Sequence, residues 1–268
     1  MNSPEVGIIM VAYCPNTSML SSWSEAVRQG VPLRIWDNTP QGFGGWMDYP
    51  NLVVYSSGSN IGLGPAIKCL LTKLQAESQW VNALYFDQDA DWSALTYRWV
   101  VEVMKKNSMG LGSKSPQLIG IRGGPHPTNP VKVRTMFTNG MIFPVGPVLK
   151  LMNRYQPYFL ECVDYQLCYK ANLSGWSLFQ MDGCPELFHD ASRPFLELKI
   201  GSNIYRKRIY PPGRSRRFLL NLGALSMEAL FRFDFNYLWV FLRNVLTHLA
   251  YRTWFDALWY LRPSVRQA

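Results

Sequence analysis

The segment Tyr85-Phe-Asp-Gln-Asp-Ala-Asp sets acidic side chains directly beyond an apolar run. If that run is a strand, alternation turns Asp87 and Asp89 to the same side. Two carboxylates on one side repel each other unless a cation lies between them, and hard divalent ions such as Mg²⁺ or Mn²⁺ accept such oxygens together with those of phosphates. The pattern therefore predicts a metal-bound diphosphate. Surface acids and helix caps also produce Asp-x-Asp, so its surroundings decide. A second acidic pair, Glu161 and Asp164, stands about one helical turn apart at the start of an amphipathic segment. One of the two could take the proton from an acceptor hydroxyl, and helix capping is the competing use of Asp164. His189, in Glu186-Leu-Phe-His-Asp, offers an imidazole to the same metal, against the commoner structural use of a lone histidine.

These groups need a scaffold that converges on one edge. Val6 to Ala12, Leu33 to Trp36, Leu52 to Tyr55 and Ala83 to Phe86 read as strands, several of them separated by helical patterns. That alternation predicts an α/β fold with a mostly parallel sheet. Asp87 and Asp89 then lie at its carboxyl edge, where open α/β sheets bind ligands. Asp37-Asn38 ends the second strand, and Ser59-Asn-Ile-Gly-Leu-Gly-Pro-Ala leads from the third into a helix. Asn60 and Gly62 thus reach the same edge, where a nucleotide could lie, although a tight strand-to-helix turn accounts for Asn60, Gly62 and Gly64 equally well.

The spacing of Ile67, Leu70, Leu71 and Leu74 predicts a helix over Gly64 to Glu77, with Pro65 in its first turn. A second helix is expected from Trp92 to Lys106, with Asp91 available as its N-cap. Met109 to Arg134, rich in Gly, Pro and Ser, reads as a long loop. A strand near Met141 to Pro144, a helix near Val163 to Leu173 and a strand near Ser177 to Met181 complete the expected core.

A chain of 268 residues, 48% hydrophobic and 17% charged, accommodates one large α/β domain, here residues 1–200, with an extension over 201–268. Five cysteines without a C-x-x-C pair give neither a zinc knuckle nor a disulfide framework, and imply free thiols in a reducing compartment. The N-terminal stretch lacks the parts of a signal peptide, which points to the cytoplasm. A net charge of +9 calls for an anionic partner. Much of the excess sits in Tyr205-Arg-Lys-Arg-Ile and Gly213-Arg-Ser-Arg-Arg, ahead of a tail carrying Trp239, Trp254 and Trp259. Arginines among tryptophans suit a membrane surface better than a nucleic-acid duplex. Arg232, Asp234, Arg243, Arg252, Asp256 and Arg262 interrupt any apolar stretch long enough to span a bilayer. A helical tail packed on the domain is the competing reading.

Taken in order, Val11-Ala-Tyr, Asp37-Asn38, Asn60-Ile-Gly, Asp87-Gln-Asp, Thr138-Asn-Gly, Glu161-Cys-Val-Asp and Leu187-Phe-His resemble the family 2 glycosyltransferases, in their bacterial rhamnosyltransferase-like branch. Phe86-Asp-Gln-Asp-Ala and Tyr210-Pro-Pro-Gly-Arg strengthen that likeness, which spans roughly residues 6 to 220. The resemblance implies a GT-A fold, a nucleoside diphosphate sugar donor, inversion at the anomeric carbon and a general base at Asp164. It also implies metal ligation by Asp89 and His189, with Ala12, Tyr13, Asp37 and Asn60 around the nucleotide and Asn139 and Gly140 near the donor sugar or acceptor. Val163 and Gln166 replace acidic residues that the family usually carries, which keeps Glu161 as a reserve base. The implied reaction transfers L-rhamnose from dTDP-rhamnose to a lipid-linked or cell-surface glycan, at the inner face of a bacterial membrane that the chain touches peripherally.

Two rivals remain open. A hexosyl or N-acetylhexosaminyl transferase using a UDP sugar shares the same fold. A non-catalytic binder of membrane or nucleic acid would use the basic tail and would be indifferent to loss of Asp89. A nucleotidyltransferase would need a basic, glycine-rich triphosphate loop, and Val11-Ala-Tyr-Cys-Pro offers none.

Overall fold

The computed structural model describes residues 6–77, 79–110, 116–189, 195–200, 203–208 and 212–261. They belong to two compact units, Met1–Ile209 and Tyr210–Ala268. The first opens with β1 (Val6–Ala12), α1 (Thr17–Arg28), β2 (Leu33–Asp37), β3 (Leu52–Ser56), α2 (Leu63–Ala76) and β4 (Asn82–Asp87). These four strands run parallel in the order β3-β2-β1-β4. Their register sets Ala12 beside Asp37, Asp37 beside Ser56 and Val11 beside Asp87, so the carboxyl ends come out level.

The unit continues with β5 (Ala90–Asp91), α3 (Ala94–Gly110), β6 (Gln117–Gly123), β7 (Val131–Lys132), β8 (Met141–Pro144), α4 (Val145–Met152), α5 (Val163–Leu173), β9 (Ser177–Cys184) and β10 (Phe188–His189). A hairpin of β11 (Phe195–Ile200) and β12 (Asn203–Arg208) follows; it straddles residue 200, and the compact units part after Ile209. β8 runs antiparallel to β4 and β6, β9 parallel to β6, and β7 antiparallel to β9, which extends the sheet to eight strands. The expected α/β architecture, a mostly parallel sheet flanked by helices, is the one observed.

Alternation along β1 explains the layering. Ile9 and Val11 pack with Tyr85 against Ile67, Leu70, Leu71 and Leu74 of α2. Ile8 and Met10 pack with Phe86 against Trp23 and Val27 of α1 and Val100 of α3. A strand covered on both faces reads as a continuous apolar run, which is why β1 was plain in the sequence.

Two expectations are corrected. The stretch 109–134 is not one loop, because β6 occupies its middle and lies inside the sheet. Its glycines resemble turn punctuation but are sites of close packing. A Cβ on Gly120 would stand 3.0 Å from both Gln180 Oε1 and Met136 Sδ, and one on Gly123 would overlap the Leu187 carbonyl oxygen. Asp91 is not the cap of α3, since it belongs to β5. Ser93 does that work: its Oγ accepts from the Leu95 and Thr96 amides at 3.0 and 3.4 Å, and its own amide donates to Thr96 Oγ1 at 3.1 Å.

The second unit is a helical hairpin of α6 (Pro212–Phe231) and α7 (Phe235–Leu261). Among the described residues Leu222, Leu225, Ala229, Tyr237 and Phe241 are its buried apolar side chains, and Ser215 Oγ bonds His248 Nε2 at 2.8 Å. Among the described residues no helix is long and apolar enough to cross a membrane. The side chains of Trp254 and Trp259, and those of the basic run in β12, lie outside the described residues.

Candidate functional site

Asp87 is the last residue of β4, and its amide donates to Asn139 Oδ1 at 3.0 Å while its Oδ1 accepts from the Tyr85 hydroxyl at 2.9 Å. Burial, followed by the charge of Asp87, the bond to it and the charge of Asp89, raises the Tyr85 pKa well above its usual value. One phenol therefore feels both carboxylates, although β4 ends at Asp87 and Asp89 lies in the turn that follows, so strand alternation does not extend to it. Gln88, between the two acids, clasps the end of β1: its Oε1 accepts from the Tyr13 amide at 2.6 Å and its Nε2 donates to the Tyr13 carbonyl at 3.3 Å. Tyr13 itself is exposed, and Ala12 beneath it is buried.

Thr138-Asn-Gly turns into β8 at the same edge. Gly140 has φ of 75°, and a Cβ there would stand 2.5 Å from the Ile121 carbonyl oxygen. Its amide donates to the Tyr85 carbonyl and its carbonyl accepts from the Ile121 amide, both at 2.8 Å. Only glycine lets this turn lie so close to β4 and β6 and aim Asn139 at Asp87.

Asp164 stands in the first turn of α5, whose N-cap Cys162 is left-handed at φ 67° and caps with no side-chain bond. The Tyr165 amide donates to Asp164 Oδ1 at 2.9 Å. Burial above all, with the charges of Asp87 and Glu161, raises the Asp164 pKa from 3.8 to about 6 against the opposing backbone hydrogen bonds. The fold thus brings Asp87, Glu161 and Asp164 into one electrostatic group. Glu161 is 7% exposed.

The position of α5 is fixed by Gln166, whose Oε1 accepts from the Tyr158 amide at 2.9 Å and whose Nε2 donates to the Gln156 carbonyl at 3.1 Å. The segment so held lies on the start of α2: the Leu63 amide donates to the Phe159 carbonyl, and a Cβ on Gly62, at φ 89°, or on Gly64 would overlap the Phe159 or Tyr158 carbonyl oxygen. Asn60 Oδ1 accepts from the Gly62 amide at 2.9 Å. Asn38, buried, donates from Nδ2 to the Gly62 carbonyl and accepts at Oδ1 from the Ile61 amide, both at 3.2 Å. Asn60, Gly62 and Gly64 are used in packing the turn, the structural alternative raised by the sequence, and Asn38 joins them in that use.

Asp37 is 1% exposed. Its Oδ1 accepts from the Thr39 amide at 2.8 Å, and its Oδ2 accepts from the Phe43 amide at 2.7 Å and the Trp46 indole at 3.0 Å. Burial, the largest single influence, acts to raise its pKa, yet the Thr39, Trp46 and Phe43 donors together lower it. A nucleotide reaching this carboxylate would have to displace a loop donor.

Among the described residues no three of His, Cys, Asp and Glu gather closely enough to hold a metal. The side chain of His189 lies outside the described residues, but its backbone pairs with Ala90, one residue from Asp89. Burial is the largest cause of the raised Asp164 pKa, and the charges of Asp87 and Glu161 add a repulsion that a cation would relieve; an all-oxygen pair with an imidazole suits Mg²⁺ or Mn²⁺.

No family model matches the chain, and no curated protein matches it in sequence. Among solved structures it is similar to S. aureus TarS, with a TM-score of 0.46 and 12% identity over 84% of this chain and 40% of that one. Against TarS 1-349 the TM-score is 0.47 at 12% identity, over 84% of this chain and 65% of that one. Against A197 from STIV it is 0.41 at 9% identity, over 77% and 98%. This chain spans 40% of the length of the longer TarS chain. At such identities and TM-scores none of these likenesses assigns a reaction.

Proposed function

We propose that the chain is a nucleotide-sugar-dependent inverting glycosyltransferase whose general base is Asp164. The observation that carries this reading is a carboxyl group held near pKa 6, beside Asp87, at the carboxyl edge of a parallel sheet. At neutral pH Asp164 is ionised, yet basic enough to accept the proton of an acceptor hydroxyl as that oxygen attacks the anomeric carbon. The new glycosidic bond forms as the bond to the diphosphate breaks, and the diphosphate leaves with the electron pair. Asp89, His189 and Asp87 would hold a divalent cation, which offsets charge on the leaving diphosphate. Ala12, Tyr13 and Asn60 border the nucleotide, and Asn139 and Gly140 stand where the donor sugar meets the acceptor.

The donor that fits the sequence resemblance is dTDP-rhamnose, and the acceptor a lipid-linked or cell-surface glycan at the inner face of the cytoplasmic membrane. A UDP-sugar-dependent hexosyl or N-acetylhexosaminyl transferase is the same chemistry with another donor. A panel of dTDP and UDP sugars, followed by release of nucleoside diphosphate with Mn²⁺ present, tests both. Turnover of one donor that is lost in Asp164→Asn supports the proposal; no turnover of any donor, or turnover unchanged in Asp164→Asn, overturns it.

A further inference from the structure

From residue 103 to residue 160 the chain carries eight lysines and arginines and no aspartate or glutamate. The stretch that builds β6, β7, β8 and the loops between them therefore brings only positive charge to its side of the sheet. One of these cations, Arg122, stands at the carboxyl edge. In β6, Leu118 packs into the core shared with α2 and α5, and Ile119 and Ile121 into the core on the other face. Alternation turns Arg122 to the face of α5, which Tyr85 and so Asp87 share. Register fixes its level. Tyr85 and Gly120 both lie beside Met141, the Ile121 amide donates to the Gly140 carbonyl, and the Asp87 amide donates to Asn139 Oδ1. Asp87, Asn139 and Arg122 thus form one row, its outer backbones about two strand spacings, or about 10 Å, apart.

The loop beyond Arg122 is held in place. The Thr128 amide donates to the Asp182 carbonyl at 3.1 Å and the Asp182 amide to Thr128 Oγ1 at 2.9 Å, and a Cβ on Gly183 would overlap the His126 carbonyl. Arg122 itself is exposed, and no hydrogen bond or ion pair joins it to a described residue. Phe137, two positions before Asn139, is 64% exposed. A guanidinium offers paired N–H donors to an oxyanion, and a bare ring offers an apolar face to the C–H bonds of a sugar.

We propose that Arg122 and Phe137 form an acceptor subsite, and that the acceptor is an anionic glycan whose phosphate or carboxylate is held by Arg122 while a sugar ring lies on Phe137. This rests on the transferase reading, which puts the nucleotide at the ends of β1 to β3. The strand order β3-β2-β1-β4-β8-β6 sets Arg122 on the opposite side of Asp87, the side left for the acceptor. The donor diphosphate belongs with the cation at Asp87 and Asp89, so the charge of Arg122 serves a second anion.

The test follows backbone amide and arginine Nε–Hε NMR signals of the full chain, without metal or nucleotide, during titration with inorganic phosphate, glucose 6-phosphate, glucuronate and glucose. The two anionic sugars should move the Arg122 Nε–Hε signal and the Gly123 and Asn139 amides, and glucose should not. The tighter of the two names the anion. Arg122→Gln should weaken their binding about tenfold, the loss of one charge-assisted contact. Phe137→Ser should bring glucose 6-phosphate down to the weaker binding of inorganic phosphate. Because the signals report position, anions gathered by the arginines of α6 do not count. No movement at these positions, or movement unchanged in Arg122→Gln, overturns the proposal. Loss of Mn²⁺-dependent dTDP or UDP binding in Arg122→Gln overturns it as well, by assigning the guanidinium to the donor diphosphate. A chain that binds the anionic sugars but neither nucleotide contradicts the transferase reading instead, while the anion site at Arg122 stands.

Discussion

Asp37, buried, and Asp164, half-buried, are the same residue type near the carboxyl edge of one sheet, and their ionisation is driven in opposite directions. Asp37 meets three donors, from Thr39, Phe43 and Trp46, and its pKa falls. Asp164 accepts from the amide of Tyr165, faces the charges of Asp87 and Glu161, and rises to about 6. Burial pushes both upward, so burial alone does not mark a chemical carboxylate. The number of donors against the number of like charges does.

Replacing each acid should break this contrast in a different observable. Asp164→Asn is expected to lower kcat/KM for sugar transfer about a thousandfold, within the range of a lost general base, while the thermal melt at neutral pH holds or rises because a half-buried charge is removed. Asp37→Ala should do the reverse. It strands two backbone amides and an indole N–H near the core, costing about 3 kcal/mol in denaturant unfolding, while the acid limb of the pH–rate profile stays where Asp164 sets it. Gln166→Ala should cost about 1 kcal/mol and loosen the 156–158 clasp on α5, read as faster amide exchange at Tyr158. The smallest effect belongs to Glu161→Gln: removing a charge that raises Asp164 should move the acid limb near pH 6 to lower pH.

Linkage gives the contrast a sign. The folded pKa of Asp164 lies above its ordinary value of 3.8, so its stabilising contribution is complete below 3.8 and is lost as pH rises through about 6. Asp37 is depressed, so its contribution is present above its ordinary value and is lost as pH falls through the folded one. Urea denaturation between pH 3 and 7, a window spanning both carboxylate ranges, should therefore show opposite slopes removed by Asp164→Asn and by Asp37→Asn.

What the sequence revealed followed from how evenly each element was buried. β1 and β4 stood out as continuous apolar runs, and α2 by its four leucine and isoleucine positions. β6 was hidden because Gly120 and Gly123 serve close packing and imitate turn residues. At the site, the acids themselves were legible by type and spacing. Their environment was not: Asp87 and Asp164 are 77 positions apart, and only the folded chain brings the charge of one near enough to raise the other. Gln166 acquires its meaning from a backbone clasp that no local spacing announces. Likewise Phe233 looks like an ordinary helical residue until its φ places it in the left-handed region.

The most direct test of the central claim needs no acceptor: calorimetric titration of the chain with dTDP and with UDP, in the presence and absence of Mn²⁺, comparing it with Asp89→Ala. The account predicts nucleotide binding that depends on Mn²⁺ and is lost in Asp89→Ala, with the tighter nucleotide naming the donor class. Absence of binding with Mn²⁺ present, or binding that Asp89→Ala leaves unchanged, would contradict the donor site at the end of β4.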